Sequence, residues 1–156
     1  MGDFSQNGII SNLHDFGTKT TADIEKELVK FSKERKMELI LPSLYSELKG
    51  DALPNIVKQI GETKYLNHII IGLDKASKNE AVKAWKFFKK LNIPFTILWN
   101  DGPRLKKLHE ELKKKDLAPS EMGKGRNVWY CLGMCIARDE ARSVALHDCD
   151  IKTYDR

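Results

Sequence analysis

The residues with the clearest chemical potential are two carboxylates, Asp148 and Asp150, that follow an apolar segment, and a lysine, Lys124, that stands between two glycines. Carboxylate oxygens are hard ligands that suit Mg²⁺ or Mn²⁺, and these ions keep coordination positions open for phosphate oxygens and water. A glycine-rich turn at a helix start suits the phosphates, because unpaired backbone N–H groups and the lysine charge attract an anion. Each motif alone is also common in surface turns, but together they predict a site for a cation-bound diphosphate.

The composition is that of one globular domain, with 41% hydrophobic and 31% charged residues in 156. The net charge of +5 is interleaved along the chain, which favours solvated helix faces over a nucleic-acid-binding track. No apolar run reaches the roughly 20 residues of a membrane span, and the start of the chain lacks the pattern of a signal peptide. The sequence therefore predicts a cytoplasmic protein that binds neither nucleic acid nor membrane.

Helical and strand patterns alternate along the chain after a polar leader at residues 1–19. Thr20 and Ser77 each begin a capping box, which predicts helix starts at both places, and the first helix is expected to end near Lys36. Four short, nearly apolar strands are predicted at residues 38–42, 68–73, 95–99 and 144–146. We expect Pro42 to end the first strand, Asp51 to cap the second helix, and Trp85 to belong to the buried stripe of the third helix.

Strands that are apolar on both faces and alternate with helices predict an α/β, Rossmann-like, mostly parallel sheet flanked by helices. With the strand order 3-2-1-4, strands one and four are neighbours whose connections leave in opposite directions, and ligands bind beyond their carboxyl ends. The loop that carries Ser43 and Glu47 leaves strand one there, and Asp148 and Asp150 leave strand four there. Topology alone therefore predicts that these residues meet, in a single domain at residues 20–156.

The three cysteines leave two interpretations open. Cys131 and Cys135 lie one helical turn apart, and His147 and Cys149 stand near the end of the last strand, so a zinc site can be drawn. Buried thiols on an apolar helix face are the favoured interpretation, because free cysteine packs as a small core residue. An odd number of cysteines in a chain without a secretory signal also favours reduced thiols.

Four motifs, in order along nearly the whole chain, closely resemble glucosyl-3-phosphoglycerate synthases, which are retaining glycosyltransferases of the glycosyltransferase-A fold. The motifs are LPSLYSE at residues 41–47, WNDGPR at 99–104, MGKGRN at 122–127 and HDCD at 147–150. The resemblance implies a metal-dependent hexosyltransferase that moves glucose from UDP-glucose or GDP-glucose to 3-phosphoglycerate with retention, for glucosylglycerate synthesis. It also implies the N-terminal, nucleotide-binding half of that fold.

The same resemblance implies roles for individual residues. Those that contact the sugar nucleotide are Pro42, Ser43, Leu44 and Glu47 at the nucleoside, Asp74 at the base or ribose, Lys124 at the diphosphate, and Asp148 with Cys149. Asp148 and Asp150 would hold Mg²⁺ or Mn²⁺. In the family the half that follows supplies a histidine ligand to the metal, the acceptor phosphate site and a dimer surface. We therefore expect a homodimer when the chain is complete, and no catalytic residue is assigned.

Two other functions fit the same residues. A mannosyl-3-phosphoglycerate synthase or related sugar-nucleotide transferase would use the same donor half, because the residues that select the sugar are expected beyond Arg156. A non-catalytic Rossmann-like module that binds a nucleotide or a partner protein would also have this fold. Metal-dependent affinity for a sugar nucleotide separates the transferases from the module.

Overall fold

The computed structural model describes residues 19–156, so the predicted leader at 1–19 lies, apart from Lys19, outside the described residues. Helices and strands alternate from there on. The elements are α1 (Thr21–Glu34), β1 (Met37–Leu44), α2 (Ala52–Gly61), β2 (Leu66–Asp74), α3 (Lys78–Phe88), β3 (Phe95–Trp99), α4 (Pro103–Lys113), α5 (Lys124–Arg138) and β4 (Ser143–Leu146). A single 3₁₀ turn, Tyr45–Lys49, follows β1.

The four strands form a parallel sheet in the order β3-β2-β1-β4, which confirms the predicted fold class and strand order. In the register, Ile40 of β1 lies opposite Ile70 of β2 on one side and Leu146 of β4 on the other. All strands therefore end at the same edge of the sheet. The polar segments that follow β1 and β4 emerge there side by side.

The core has two layers because neighbouring strand residues point to opposite faces of the sheet. On one face, Leu41 and Ile71 pack with Ile56 of α2 and Phe88 of α3. On the other face, Ile40 and Ile70 pack with two buried side chains of α5, Cys131 and Cys135, and α5 is the one described helix that contributes to this cluster. The position of α5 on the sheet therefore decides where its first turn, with Lys124, is placed.

The prediction that Pro42 ends the first strand was wrong, since β1 continues to Leu44. The carbonyl of Ile40 faces β4 and accepts a hydrogen bond from the backbone N–H of His147 at 3.1 Å. Residue 42 faces the same way by the two-residue period, but β4 has ended at Leu146. The missing N–H of proline therefore falls beyond the ladder and removes no strand hydrogen bond.

The helix caps and faces agree with the sequence patterns in part. Both predicted helix starts are confirmed, because Thr20 Oγ1 accepts from the N–H of Asp23 and Ser77 Oγ accepts from the N–H of Glu80. Of the two, Ser77 has the full capping box, in which Glu80 Oε2 accepts from the N–H of Ser77, whereas Thr20 caps its helix without that reciprocal bond. Asp51 makes no capping bond through its side chain, and Trp85 is 49% exposed, so both of those predictions were wrong. Within residues 19–156, no helix has the length and apolar character needed to cross a membrane.

Candidate functional site

One cavity of about 420 Å³ opens at the carboxyl ends of the strands, and it gathers every residue for which a site role was predicted. Those residues come from four separate stretches of sequence. The lining comprises Pro42, Ser43, Leu44, Glu47, Asp74, Lys124, Asp148, Cys149 and Asp150, together with Lys75, Asp101, Met122, Gly123 and Asn127. The structure therefore brings the predicted residues together at the β1/β4 switch point.

The wall formed by the end of β1 is fixed by short-range hydrogen bonds. Glu47 reaches back so that Oε2 accepts from the N–H of Leu44 at 2.9 Å, and the Ser43 hydroxyl donates to the carbonyl of Leu44 at 3.1 Å. Burial raises the pKa of the Glu47 carboxyl, although the hydrogen bond from Leu44 acts in the opposite direction. Glu47 therefore shapes this wall in addition to lining it.

The end of β2 turns sharply into the cavity wall. Asp74 is buried, and Lys75 directly after it has a φ of 52°, in the left-handed region that side chains other than glycine rarely adopt. Residues at the end of β3 hold this turn through the backbone of Ala76. Asp101 Oδ2 accepts from the N–H of Ala76 at 2.9 Å, and Trp99 Nε1 donates to the carbonyl of Ala76 at 2.7 Å. Such conformations persist only where the surroundings over-determine them, and they are common at functional sites.

The first turn of α5 carries the predicted phosphate-binding lysine. Gly123, just before the helix, has a φ of 144°, which is a conformation for glycine. Lys124 Nζ donates to Asp148 Oδ1, and both side chains are about half exposed. The predicted diphosphate ligand and the predicted metal ligand thus contact each other, so a bound diphosphate would share the lysine with Asp148.

Asn127 sits deeper in the same turn and was not singled out as a site residue from the sequence. Its Nδ2 donates to the carbonyl of Gly72 at 2.8 Å, and its Oδ1 accepts from the thiol of Cys131 at 3.6 Å. These bonds tie the start of α5 to β2. The only sequence signal for Asn127 is that it is the last residue of the MGKGRN motif. Its partner is a backbone carbonyl, which every residue has, so the sequence could not indicate this hydrogen bond.

The Asp-x-Asp segment after β4 alternates between the core and the cavity. Cys149 is buried and packs with the core cluster of β1, β2 and α2, while Asp148 is partly exposed and Asp150 is exposed. Burial raises the pKa of the Cys149 thiol to about 12, so it remains a neutral thiol at neutral pH. The central residue therefore anchors the segment, and the two carboxylates face outward.

Hydrogen bonds to Tyr154 also hold the Asp-x-Asp segment after β4 in place. His147 Nδ1 lies 2.5 Å from the hydroxyl of Tyr154, and Asn55 Nδ2 donates to the carbonyl of Tyr154 at 2.9 Å. Burial lowers the pKa of His147, which favours its neutral form. These contacts tie the two ends of residues 147–154 together and connect them to α2.

The charge of the cavity fits a cation-bound anion better than a bare one. Its lining carries the five carboxylates Glu47, Asp74, Asp101, Asp148 and Asp150 against two lysines, Lys75 and Lys124, so its formal charge is −3. A free diphosphate would be repelled by that charge. The oxygens of Asp148 and Asp150 are the hard donors that Mg²⁺ and Mn²⁺ prefer, so these two residues fit the predicted metal.

No group of three or more potential metal-ligating side chains occurs within residues 19–156. Asp148 and Asp150 would thus supply two protein ligands from the described chain, and water and phosphate oxygens could complete the coordination. Cys131 and Cys135 are buried, and burial raises their thiol pKa values to about 12 and about 11. Their packing confirms the interpretation of the two residues as buried thiols of the core.

Two curated proteins with the same name are similar to this chain, whereas no family model matches it. Over 156 residues, all of this chain, it is 42% identical to a glucosyl-3-phosphoglycerate synthase of Persephonella marina and covers 39% of that protein. Over 146 residues, 93% of this chain, it is 35% identical to a glucosyl-3-phosphoglycerate synthase of Methanococcoides burtonii and covers 35% of that protein. The chain thus spans less than two-fifths of the length of these curated relatives.

A solved structure shares the fold. The crystal structure of glucosyl-3-phosphoglycerate synthase from Mycobacterium tuberculosis, in complex with Mn²⁺, UDP and glucosyl-3-phosphoglycerate, superposes with a TM-score of 0.52. The match covers 89% of this chain and 40% of that chain, at 16% sequence identity. At this level of identity the likeness shows the fold alone, and the fold is that of part of a glycosyltransferase-A protein.

Proposed function

This chain is a homologue of the glucosyl-3-phosphoglycerate synthases over its whole length, and we propose that it forms the part of such an enzyme that binds the sugar nucleotide. The reaction of the whole protein would be transfer of glucose from UDP-glucose or GDP-glucose to 3-phosphoglycerate, with retention. The names of the two curated relatives support the acceptor and the sugar. Residues 20–156 would form the nucleotide-sugar-binding domain.

One observation carries the proposal. Nine residues that the family resemblance assigns to the donor or the metal line a single cavity, although they come from four separate stretches of sequence. Chance placement would scatter several of them over the surface of a domain this size. Their position at the β1/β4 switch point is also where parallel α/β sheets bind ligands.

The residues divide the work by their surroundings. The wall around Pro42, Ser43 and Leu44 is nearly buried and held by Glu47, which suits the flat, partly apolar surface of a nucleoside. Lys124 and the start of α5 offer positive charge to the diphosphate. A bound Mg²⁺ or Mn²⁺ on Asp148 and Asp150 would neutralise part of the negative charge that the diphosphate gains as it leaves. The chain thus fixes and orients the donor, a major share of catalysis in group transfer.

The proposal also includes the oligomeric state and the cellular location of the whole protein, which the same resemblance suggests. A homodimer is expected from the family, and a cytoplasmic location fits an intracellular phosphorylated acceptor. The interleaved charges along the chain, which total +5 over 156 residues, support small-molecule partners instead of nucleic acid.

Calorimetry with a panel of sugar nucleotides tests the proposal. UDP-glucose, GDP-glucose and GDP-mannose are titrated into the chain with Mn²⁺ and again with EDTA. We expect binding of at least one glucose donor that depends on Mn²⁺. Preference for GDP-mannose would instead support a mannosyltransferase, and the absence of binding to all three would support a module that does not use sugar nucleotides.

A further inference from the structure

Asp74 and Arg126 form a buried pair at the wall of the cavity. Asp74, the last residue of β2, is 5% exposed and lines the cavity. Arg126, in the first turn of α5, places Nη2 3.9 Å from Asp74 Oδ1, and its side chain is 12% exposed. Because N–H···O hydrogen bonds span about 2.7–3.2 Å, the pair attracts by charge without forming a hydrogen bond.

Both partners keep unused hydrogen-bonding capacity. Within residues 19–156, the carboxylate of Asp74 has this long contact with Arg126 as its only ion pair, and Arg126 Nε is buried without a hydrogen-bond partner. On the neighbouring strand end, Asn100 is buried with both side-chain amide atoms unpartnered in that same range. Buried polar groups normally find partners, so this cluster calls for donors and acceptors from outside the described chain.

The backbone keeps Asp74 in place. The left-handed residue Lys75 follows it, and the next residue, Ala76, is bonded on both of its backbone groups by the end of β3. A carboxylate on such a fixed turn cannot move far to meet Arg126. In the structure, Arg126 therefore acts on Asp74 by charge across a distance of 3.9 Å.

We propose that Arg126 is a positioning residue, which balances the charge of Asp74 and directs its free oxygens toward hydrogen-bond donors of the nucleoside. The donors would be ribose hydroxyl groups or a base N–H, since a carboxylate only accepts hydrogen bonds. This inference rests on the proposed function, because it requires a nucleotide in the cavity. Lys124 and Arg126 then serve different parts of one ligand from the same helix turn, the diphosphate and the nucleoside.

A second buried pair on α5 shows what a purely structural anchor looks like. At the other end of the helix, Arg138 Nε donates to Glu38 Oε1 at 3.1 Å, and the Glu38 side chain is 1% exposed. Neither residue lines the cavity. The two pairs differ in distance, because Arg138 and Glu38 close to a hydrogen bond while Arg126 and Asp74 stay 3.9 Å apart. An unpartnered buried atom occurs in both pairs within residues 19–156, since Glu38 Oε2 also has no hydrogen-bond partner.

Calorimetry with Mn²⁺ on four forms of the chain tests the role of Arg126. The forms are wild type, Arg126→Met, Arg126→Lys and the matched control Arg138→Met, and the ligands are UDP, GDP and inorganic pyrophosphate. We expect Arg126→Met to weaken the better-bound nucleotide about tenfold or more, as expected for hydrogen bonds to a charged group, and to change pyrophosphate binding less than twofold. Arg126→Lys should retain part of the affinity, and Arg138→Met should leave both ligands unchanged.

The other outcomes separate the two levels of the proposal. If wild type binds UDP or GDP and Arg126→Met binds it equally, or loses pyrophosphate to the same degree, the positioning role is overturned and the proposed function stands. If wild type binds neither nucleotide, both fall. Should Arg126→Met fail to fold, Arg126→Lys decides by the same comparison. The 2′,3′-dideoxy form of the better-bound nucleotide shows which group of the nucleoside donates the hydrogen bond to Asp74. If the ribose hydroxyl groups donate it, Arg126→Met has no effect on binding of the dideoxy form. If the base donates it, the effect of Arg126→Met persists.

Discussion

Replacing Gly72 by alanine should displace the start of α5, because no space exists for a methyl group there. A Cβ on Gly72 would lie 1.7 Å from Asn127 Oδ1 and 2.7 Å from Cys131 Sγ. Asn127 would have to turn away and give up its 2.8 Å hydrogen bond to the Gly72 carbonyl. Overpacking costs about 1–3 kcal/mol and an unmet buried hydrogen bond about 1–3 kcal/mol, so we expect a loss of about 2–6 kcal/mol.

Urea unfolding followed by circular dichroism measures this loss. With a slope of about 2 kcal/mol per molar urea, the midpoint should fall by about 1–3 M. The matched control is Gly133→Ala, on the same helix, where a Cβ meets no atom within 4 Å. That variant should gain about 0.5–1 kcal/mol, because alanine restricts the unfolded chain more than glycine does.

The two variants should also differ in ligand binding. Gly72→Ala moves the helix turn that carries Lys124, so it should weaken the binding of a nucleoside diphosphate, whereas Gly133→Ala should not. An unchanged midpoint for Gly72→Ala would refute the close packing of Asn127 against β2. Normal stability with lost binding would refute the claim that the two effects share one cause.

Two further predictions concern the site and its support. Lys124→Ala should weaken UDP binding by about 1.5–3 kcal/mol while uridine binding barely changes, since a hydrogen bond to a charged group is lost only at the phosphates; equal losses for both ligands in calorimetry would show that Lys124 supports the fold instead. The thiol of Cys149 should stay protonated and unreactive in the folded chain, because burial raises its pKa from 9.0 to about 12. The unfolded chain therefore ionises first as the pH rises, and stability should fall between about pH 9 and 12. Labelling with a thiol reagent at pH 8 should accordingly follow global unfolding in urea, and rapid labelling of Cys149 without urea would contradict its burial.

The sheet could be predicted from the sequence because each strand is recognisable from a short run of neighbouring residues. Runs such as residues 69–73 carry no polar side chain, which is typical of a strand buried on both faces, and the helices between the strands favour parallel pairing. Once the order 3-2-1-4 is accepted, the meeting of Ser43 and Glu47 with Asp148 and Asp150 follows from topology. The cavity that contains all four confirms that they meet, while their roles toward a ligand stay a prediction.

The parts that sequence reasoning missed depend on contacts between distant residues. Asp101 entered the sequence analysis only as part of the WNDGPR motif, but its carboxylate holds the backbone of Ala76 on another loop. Asn127 donates to a backbone carbonyl, a group that every residue possesses, and Arg126 entered the sequence analysis only as part of the MGKGRN motif, although it lies next to buried Asp74. Pro42 was misjudged because whether its missing N–H matters depends on where β4 ends. Trp85 keeps the spacing of a buried stripe, yet its ring is partly exposed, with Lys89 Nζ 5.3 Å from the ring centroid.

The measurement that tests the central claim most directly is the metal dependence of donor binding in Asp150→Ala. Calorimetry with the better-bound glucose donor is run with and without Mn²⁺ on wild type, on Asp150→Ala, and on the control Asp155→Ala, an exposed carboxylate outside the cavity. We expect Mn²⁺ to tighten binding to wild type and to the control by at least tenfold, about 1.4 kcal/mol, and to have no such effect on Asp150→Ala. Equal Mn²⁺ enhancement in all three proteins would contradict the assignment of Asp148 and Asp150 as the carboxylates that hold the metal for the sugar nucleotide.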